Sequence, residues 1–176
     1  MTSPETPRYR VCPSPIGDIV IVEREGSLVT VHPFDGPVYA EVARLSMWLR
    51  AAVQQHPESE TGVISDTIVQ LEEYFAGDRE GFDLPLDWST VQGFTRDALQ
   101  AVCEIPYGET AGYGEVAIAA GSPRAARAVG TACAHTPFSI VVPVHRVVRS
   151  DGSLGEYGGH PEVKKYLIDL ERGTSA

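Results

Sequence analysis

Residues 140–148 form the stretch that most restricts how this chain can fold. They read IVVPVHRVV, and such a density of β-branched residues predicts a buried strand. A histidine and an arginine lie within it, and burying either side chain costs free energy unless a polar partner replaces the lost water. The fold must therefore bring partners to His145 and Arg146 from other parts of the chain.

Two interpretations of this stretch are open. In the structural one, His145 hydrogen-bonds to the backbone and Arg146 reaches the surface. In the functional one, His145 belongs to a proton relay: it accepts the proton of an adjacent nucleophile while a carboxylate orients its other ring nitrogen. Glu171 can supply that carboxylate, but the residue before the histidine is Val144, whose side chain has no nucleophilic chemistry.

Charge is distributed unevenly along the 176 residues, whose formal net charge is −10. An acidic chain argues against nucleic-acid binding, yet residues 1–93 account for −9 of this charge and residues 94–176 for only −1. Residues 122–149 contain four arginines, two histidines and no acidic residue. This basic window can bind phosphates, although with modest non-specific affinity.

The first half of the chain has the pattern of a small α/β domain. Residues 18–32 alternate around the turn EREG and predict a β-hairpin, with strands at 18–22 and 27–32. Two helices follow, the second capped by Ser65-Asp66 and ending before Gly77. Their predicted inward-facing residues are Val42, Leu45, Trp48, Leu49 and Val53 in the first helix, and Ile68, Leu71 and Phe75 in the second.

The second half is predicted to be mainly helical. A first helix stops before Pro106 and has an apolar stripe made of Phe94, Ala98, Leu99, Val102 and Ile105. The segment AGYGEVAIAAGSPRAARAVGTACAHTP then predicts a helix, a tight turn and a second helix of small residues, with Ser122 as N-cap and Pro123 at its first position. Arg124 and Arg127 fall on one side of this second helix. The pattern fits a DNA-binding helix-turn-helix or an ordinary hairpin of two helices.

Two further segments complete the second half. In GSLGEYGGH, four glycines surround Tyr157, which indicates either a plain surface loop or a tight loop that holds the ring in a pocket wall. The segment PEVKKYLIDLE predicts a terminal helix whose inward-facing residues are Val163, Tyr166, Leu167 and Leu170.

The cysteines and the N-terminus indicate the compartment. Cys12, Cys103 and Cys133 are widely spaced, which favours free thiols in a reducing cytoplasm over a disulfide framework or a metal site. The N-terminus lacks the form of a signal peptide, and no run of residues is apolar enough to cross a membrane. We therefore expect a cytoplasmic protein.

The ordered segments IPYGET, YGEVA, GSPRAARAVGTA, HTPFSIVVPVHRVV, GSLGEYGG and KKYLIDLE resemble the C-terminal domain of the O6-alkylguanine-DNA alkyltransferase family, from about Phe94 to Glu171. Residues 9–90 resemble the family's smaller N-terminal domain more weakly. The resemblance implies an α+β protein. Residues 1–90 would form a small α/β domain with a short antiparallel sheet, and residues 91–176 a mainly helical domain that contains the helix-turn-helix.

The family's motif is Pro-Cys-His-Arg, whose cysteine takes the alkyl group from O6 of a damaged guanine without a cofactor. Val144 stands at the cysteine position, so the chain most resembles the alkyltransferase-like proteins, which lack that cysteine and mark lesions for other repair. The resemblance implies a binder of O6-alkylguanine in duplex DNA with no catalytic residue, no metal and no cofactor. Its expected partners are alkylated DNA and excision-repair proteins, and it is expected to be a monomer in the bacterial cytoplasm.

Individual roles follow from the same resemblance. Arg127 would fill the gap left by a flipped nucleotide, Tyr113 would push the adjacent phosphate, and helix 123–134 would lie in the minor groove. The implied DNA contacts are Tyr113, Ser122, Arg124, Ala125, Arg127 and Ala128. The implied lesion pocket comprises Tyr113, Val144, Val147, Val148, Tyr157 and Gly158, with His145 and Glu171 as the remnant of the relay. Thr136 stands where the family usually has asparagine.

Other functions remain open at this point. The chain is an active methylated-DNA–protein-cysteine methyltransferase if Cys103 or Cys133 accepts the alkyl group, or if Val144 is an engineered replacement for a native cysteine. Alternatively it is a regulator that binds an undamaged DNA sequence, or a relic of the family whose acidic half binds protein.

Overall fold

The computed structural model describes residues 5–174 and divides into two compact units, one ending at Asp87 and the other beginning at Trp88. The residues outside this range, 1–4 and 175–176, belong to the ends of the two predicted domains. No helix in the described range is long and apolar enough to cross a membrane.

A four-stranded sheet forms the centre of the first unit. Its strands are β1 (Arg8–Cys12), β2 (Ile19–Arg24), β3 (Ser27–Pro33) and β4 (Gln54–Gln55), in the order β3-β2-β1-β4. The predicted hairpin is confirmed as β2 and β3, but β4 pairs with β1 in parallel, so the sheet is mixed rather than antiparallel. Strand β2 is buried from Ile19 to Glu23 because the sheet is covered on both faces.

Two helices cover this sheet. Helix α1 (Val38–Leu49) contributes Leu45 to a cluster with Val20, Val22 and Val29, and the predicted Val53 joins this cluster from beyond the helix end. Trp48 was expected to face inward, but it is 45% exposed.

Helix α2 (Val63–Ala76) begins two residues before the predicted cap. The Ser65 hydroxyl accepts a hydrogen bond from Gly62 N at 2.9 Å, so Ser65 lies in the first turn of the helix and Gly62 precedes it. The helix ends before Gly77, as predicted. Of the predicted inward-facing residues only Leu71 is buried; the buried face is Ile64, Thr67, Leu71 and Tyr74.

The second unit is mainly helical. Its elements are α3 (Gly93–Cys103), β5 (Ala111–Gly112), α4 (Tyr113–Ala119), α5 (Ala126–Ala134), β6 (Val147–Val148) and α6 (Pro161–Glu171). Helices α3, α4 and α5 pack against one another, and the stripe on α3 is buried at Ala98, Leu99 and Val102. Strands β5 and β6 form a parallel pair that brings the start of α4 next to the end of the apolar stretch.

The second helix of the helix-turn-helix begins later than predicted. Helix α5 starts at Ala126, and Ala125 N donates to Ser122 O at 2.9 Å, which closes a turn over residues 122–125. Serine followed by proline is as typical of the first two positions of a β-turn as of a helix start, and here the turn prevails. Ser122 is therefore not the N-cap, and Arg124 lies on the turn rather than on one helix face with Arg127.

The stretch IVVPVHRVV is buried but is not a continuous strand. Only Val147 and Val148 pair in a sheet, while residues 144–146 form one turn of 3₁₀-helix. Ile140 has φ 72°, a strained conformation for a β-branched residue, and Pro143 has no N–H to donate to a ladder. These two residues explain why the strand prediction was wrong.

The terminal helix α6 is confirmed, but its predicted face is rotated. Its buried residues are Lys164, Leu167, Ile168 and Glu171, whereas Val163, Tyr166 and Leu170 are half-buried. The inward face thus includes two ionisable side chains, which apolar periodicity alone does not detect.

Gly77 offers a test of the α2 terminus. It has φ 81°, and a Cβ atom there would meet nothing within 4 Å, so Gly77→Ala should cost only backbone strain, about 1 kcal/mol of unfolding free energy. We expect Gly81→Ala, which is outside the left-handed region, to be neutral or slightly stabilising. Urea unfolding followed by Trp48 fluorescence in a Trp88→Phe background measures the unfolding free energy of both variants. Equal losses for Gly77→Ala and Gly81→Ala would contradict the assignment of Gly77 as the left-handed residue that ends α2.

Candidate functional site

Glu171 forms the centre of a buried polar network in the second unit. Its Oε1 lies 2.6 Å from His145 Nε2, and Arg146 donates from Nε to Oε2 at 2.9 Å and from Nη2 to Oε1 at 3.0 Å. All three residues are buried. The carboxylate expected from the sequence thus lies beside His145, and the partner that Arg146 requires is the same carboxylate.

The network extends to the loop between α3 and β5. Arg146 Nη1 donates to Ile105 O at 2.7 Å, and Gly108 N donates to Glu171 Oε2 at 3.2 Å. Gly108 has φ 79°, and a Cβ there would lie 3.2 Å from Glu171 O, so glycine suits both the conformation and the close approach. Arg146 does not reach the surface, contrary to the structural interpretation.

Burial determines the protonation of His145. Complete burial lowers its pKa below the ordinary value, and the hydrogen bond that His145 donates to Glu171 opposes that shift only in part. The neighbouring Arg146 and Lys164 also lower the pKa, since both are cations. The imidazole is therefore neutral near pH 7, with Nε2–H donating to the carboxylate.

Val144 occupies the first position of the 3₁₀ turn, directly before His145. Its N–H donates to Val142 O at 2.8 Å, and its carbonyl accepts from Val147 N. Its side chain is 4% exposed. The backbone of residue 144 is thus held on both sides, and the side chain at this position is apolar and almost fully enclosed.

A second group of side chains lies around Lys164. Lys164 Nζ donates to Val147 O at 2.5 Å and lies 5.8 Å from the centre of the Tyr113 ring. Cys133 interacts electrostatically with Lys164, Tyr113 and Tyr157. Tyr113 and the Val147 carbonyl, both expected in the lesion pocket, therefore lie next to Lys164.

The Tyr157 ring is held in the glycine-containing loop after β6. Its hydroxyl is buried and has no hydrogen-bond partner among residues 5–174. Burial also raises the pKa of this hydroxyl, so it is protonated and can donate. Gly158, next to it, has φ 56° and open space where a Cβ would lie.

Lys164 was not anticipated from the sequence. It is 1% exposed, and burial lowers its pKa. A lysine one position before another lysine in an amphipathic helix is typical of a solvated face, so the pair of lysines by itself does not indicate burial. The available signal was its spacing, because Lys164 precedes Leu167, Ile168 and Glu171 by three, four and seven residues.

The exposed face of α5 is small and basic. Val129 and Ala132 are buried, whereas the exposed residues are Arg127, Ala128, Thr131 and Ala134. Arg124, on the preceding turn, and Arg127 are exposed and make no ion pair with any residue in the described range. Small side chains let this face approach another surface closely, and unpaired guanidinium groups suit phosphates.

The loop before the 3₁₀ turn is braced by Thr136. Phe138 N donates to Thr136 Oγ1 at 3.2 Å, which is the kind of local bond that an asparagine side chain also makes. The Phe138 ring also packs against the Trp88 ring, with ring centres 5.4 Å apart, and this contact stabilises the same loop.

The thiols of Cys103 and Cys133 are poorly suited to act as nucleophiles, because their pKa values are raised. Burial raises the pKa of Cys133 to about 12. Burial and the neighbouring Glu104 raise that of Cys103 to about 11, although the residue as a whole is exposed. No group of three or more His, Cys, Asp or Glu residues in the described part of the chain is placed to hold a metal ion.

Comparisons with known proteins agree with this architecture. The family model described as "6-O-methylguanine DNA methyltransferase, ribonuclease-like domain" matches residues 8–88, and "6-O-methylguanine DNA methyltransferase, DNA binding domain" matches residues 93–173. A methylated-DNA–protein-cysteine methyltransferase of Mycolicibacterium paratuberculosis is 38% identical over 95% of this chain and 93% of that protein.

Solved structures give the same result. The crystal structure of Mycobacterium tuberculosis OGT in complex with DNA is 35% identical, covers 96% of this chain and 94% of that chain, and superposes with a TM-score of 0.79. Schizosaccharomyces pombe Atl1 with DNA containing O6-carboxymethylguanine covers only 44% of this chain and 74% of that chain, at 38% identity and a TM-score of 0.42. The similarity over nearly the whole chain is thus to proteins of the methyltransferase type.

The low pKa of His145 predicts a pH dependence of stability. In the unfolded chain His145 has a pKa near 6.5, and in the folded chain its pKa is lower. The titration of His145 therefore causes no loss of unfolding free energy above about pH 6.5. Below that pH the unfolding free energy should decrease by up to about 1.4 kcal/mol per pH unit from this residue alone.

Trp88 fluorescence in a Trp48→Phe background follows urea unfolding of the second unit, since Trp88 contacts Phe138 there. His145→Gln keeps an N–H donor for Glu171. We expect its unfolding free energy to change less steeply with pH between pH 5 and 6.5 than that of the native chain. His32, whose pKa burial also lowers, is unchanged in both proteins. An equal slope in the two proteins would contradict the assignment.

Proposed function

The chain belongs to the 6-O-methylguanine DNA methyltransferase family, and we propose that it binds O6-alkylguanine in duplex DNA and flips the base out of the stack. Because residue 144 is valine, we propose that it leaves the alkyl group in place. The proposed role is that of the alkyltransferase-like proteins, which mark the lesion for other repair. Its proposed partners are alkylated duplex DNA and the proteins that act after recognition.

Val144 is the observation that carries this proposal. The family's enzymes have their acceptor cysteine at this position, and alkyl transfer requires a thiolate to attack the alkyl carbon as its bond to O6 breaks. Valine has no lone pair to form that bond. The side chain is buried directly before His145, so an apolar surface replaces the reactive sulfur at the end of the pocket.

The positions of three other side chains or backbone groups support the proposal. The Tyr113 ring and the Val147 carbonyl both lie next to one buried ammonium group, that of Lys164. The carbonyl of Val147 has a second lone pair and can still accept a bond from the base. Arg127 projects from the exposed face of α5 without an ion-pair partner in the described range, as an arginine that replaces a flipped nucleotide must.

A second candidate function is alkyl transfer to another cysteine. The names of the relatives that cover nearly the whole chain favour it, because they are methylated-DNA–protein-cysteine methyltransferases. Cys133 is the acceptor to consider, since it interacts with Tyr113, Tyr157 and Lys164. Its raised pKa opposes this function, because less than one thiol in a thousand is ionised near pH 7.

Restoring the nucleophile tests the proposal. We expect the native chain to bind a duplex with labelled O6-methylguanine and leave the label on the DNA, while Val144→Cys takes up one label per protein because the His145–Glu171 pair is in place. Adding His145→Gln to Val144→Cys should slow transfer by roughly 100-fold. Val144→Ser is the matched control, which should bind and not transfer.

The contrary results are distinct. Failure of Val144→Cys to take up label, while it still binds the lesion, would show that position 144 is not placed for transfer. Label on the native chain that disappears in Cys133→Ala would establish the second candidate function instead.

Arg127 tests base flipping. Because its side chain would fill the gap in the stack, Arg127→Ala should weaken binding to O6-methylguanine duplex by roughly 10- to 100-fold and to undamaged duplex by much less. Arg124→Ala, which removes the same charge from the neighbouring turn, should weaken both equally. Fluorescence anisotropy measures both. A regulator of undamaged DNA would show no preference for the lesion and would favour one unmodified sequence.

A further inference from the structure

Arg149 ends the basic window, and the parallel strands place it beside Tyr113. In the β5–β6 pair, Ala111 lies opposite Val147 and Gly112 opposite Val148. Parallel strands run in the same direction, so the residues that follow the ladder, Tyr113 and Arg149, emerge from it side by side.

Gly155 shows how close these two side chains are. A Cβ atom on Gly155 would lie 3.1 Å from Tyr113 Oη and 3.7 Å from Arg149 Nε. The hydroxyl and the guanidinium group therefore flank the same small patch of backbone, and Gly155, with φ 75°, leaves that patch open.

The backbone of Arg149 is anchored while its side chain is not. Arg149 N donates to Ser153 O and Gly152 N donates to Arg149 O, both at 2.9 Å. The exposed side chain makes no hydrogen bond or ion pair with any residue between 5 and 174. This distinguishes it from Arg146, whose guanidinium is fully engaged by Glu171 and Ile105.

Nearby acids form no ion pair with this group among residues 5–174, although Asp151 interacts with it electrostatically. The Asp151 carboxylate accepts from Ser153 N at 2.9 Å and from Ser153 Oγ at 2.6 Å, so it is held by its own loop. Glu156 acts on Tyr113 electrostatically but forms no ion pair with Arg149. A fixed backbone with an unpaired planar cation next to a phenol hydroxyl matches the geometry of a tetrahedral oxyanion.

We propose that Arg149 and Tyr113 together hold one phosphate of the DNA backbone beside the flipped nucleotide. Arg149 supplies the charge-assisted hydrogen bonds, and Tyr113 supplies a hydroxyl that donates to the same phosphate. This rests on the proposed function. The contact carries no sequence information, so it strengthens binding to damaged and undamaged duplex alike while it fixes the register of Tyr113.

Salt dependence tests the phosphate contact. Arg149→Gln should weaken binding to both duplexes roughly tenfold and lower the slope of log K against log salt concentration by about 0.9, the value for one phosphate. Arg50→Gln is the control: it removes the same charge from an exposed residue of the other unit and should change neither quantity. An unchanged slope for Arg149→Gln would overturn the proposal.

A methylphosphonate scan identifies the phosphate. Each of the phosphates flanking O6-methylguanine is made neutral in turn, and affinity is measured for the native chain, Arg149→Gln and Tyr113→Phe. We expect that neutralising one particular phosphate weakens DNA binding by the native chain but has little effect on binding by Arg149→Gln. Neutralising the same phosphate should weaken binding by Tyr113→Phe less than binding by the native chain. Different positions for the two variants would overturn the shared contact.

The two proposals fail in different ways. If the native chain does not bind the lesion more tightly than undamaged duplex, the proposed function fails. The slope of log K against log salt concentration on undamaged duplex then still decides whether Arg149 holds a phosphate. If lesion preference is present and neither the slope nor the scan changes in Arg149→Gln, only the inference about Arg149 fails.

Discussion

The site depends on one buried carboxylate. Glu171 accepts hydrogen bonds from His145, Arg146 and Gly108 N, and so connects the terminal helix, the 3₁₀ turn and the loop before β5. A buried carboxylate needs partners of this kind, and a buried guanidinium group needs a carboxylate. Because the 3₁₀ turn is held in this way, residue 144 has a fixed place directly before the histidine.

This network has structural value without a nucleophile. With valine at position 144 no nucleophile lies directly before His145, but removal of Glu171 or Arg146 would leave the other charge buried and unpaired, which is strongly destabilising. The His145–Glu171 pair therefore has a structural role beside Val144 that requires no reaction. In the proposed function, lesion binding and alkyl transfer are separable, because the residues proposed to contact DNA, those proposed to line the pocket and residue 144 are different residues.

The sequence predicted the elements with strong periodicity and missed those set by distant partners. The hairpin, α3 and α6 follow from local patterns, whereas β4 has only two residues and pairs with β1, in which Arg8 lies opposite Gln54. The start of α5 was wrong because Ser122-Pro123 suits both a turn and a helix. At the site, His145, Arg146 and Glu171 could be singled out because charged residues in apolar segments require partners. Lys164 could not, because its partners are a backbone carbonyl and an aromatic ring supplied by other elements.

The most direct measurement is a single incubation of the native chain with a duplex carrying labelled O6-methylguanine, followed by separation of the complex and intact-mass analysis of the protein. A lesion binder forms a retained complex, the label remains on the DNA, and the protein mass is unchanged. A protein mass increased by one methyl group, with loss of label from the DNA, would contradict the central claim and show that a residue other than Val144 accepts the methyl group, with Cys12, Cys103 and Cys133 as the cysteines to examine.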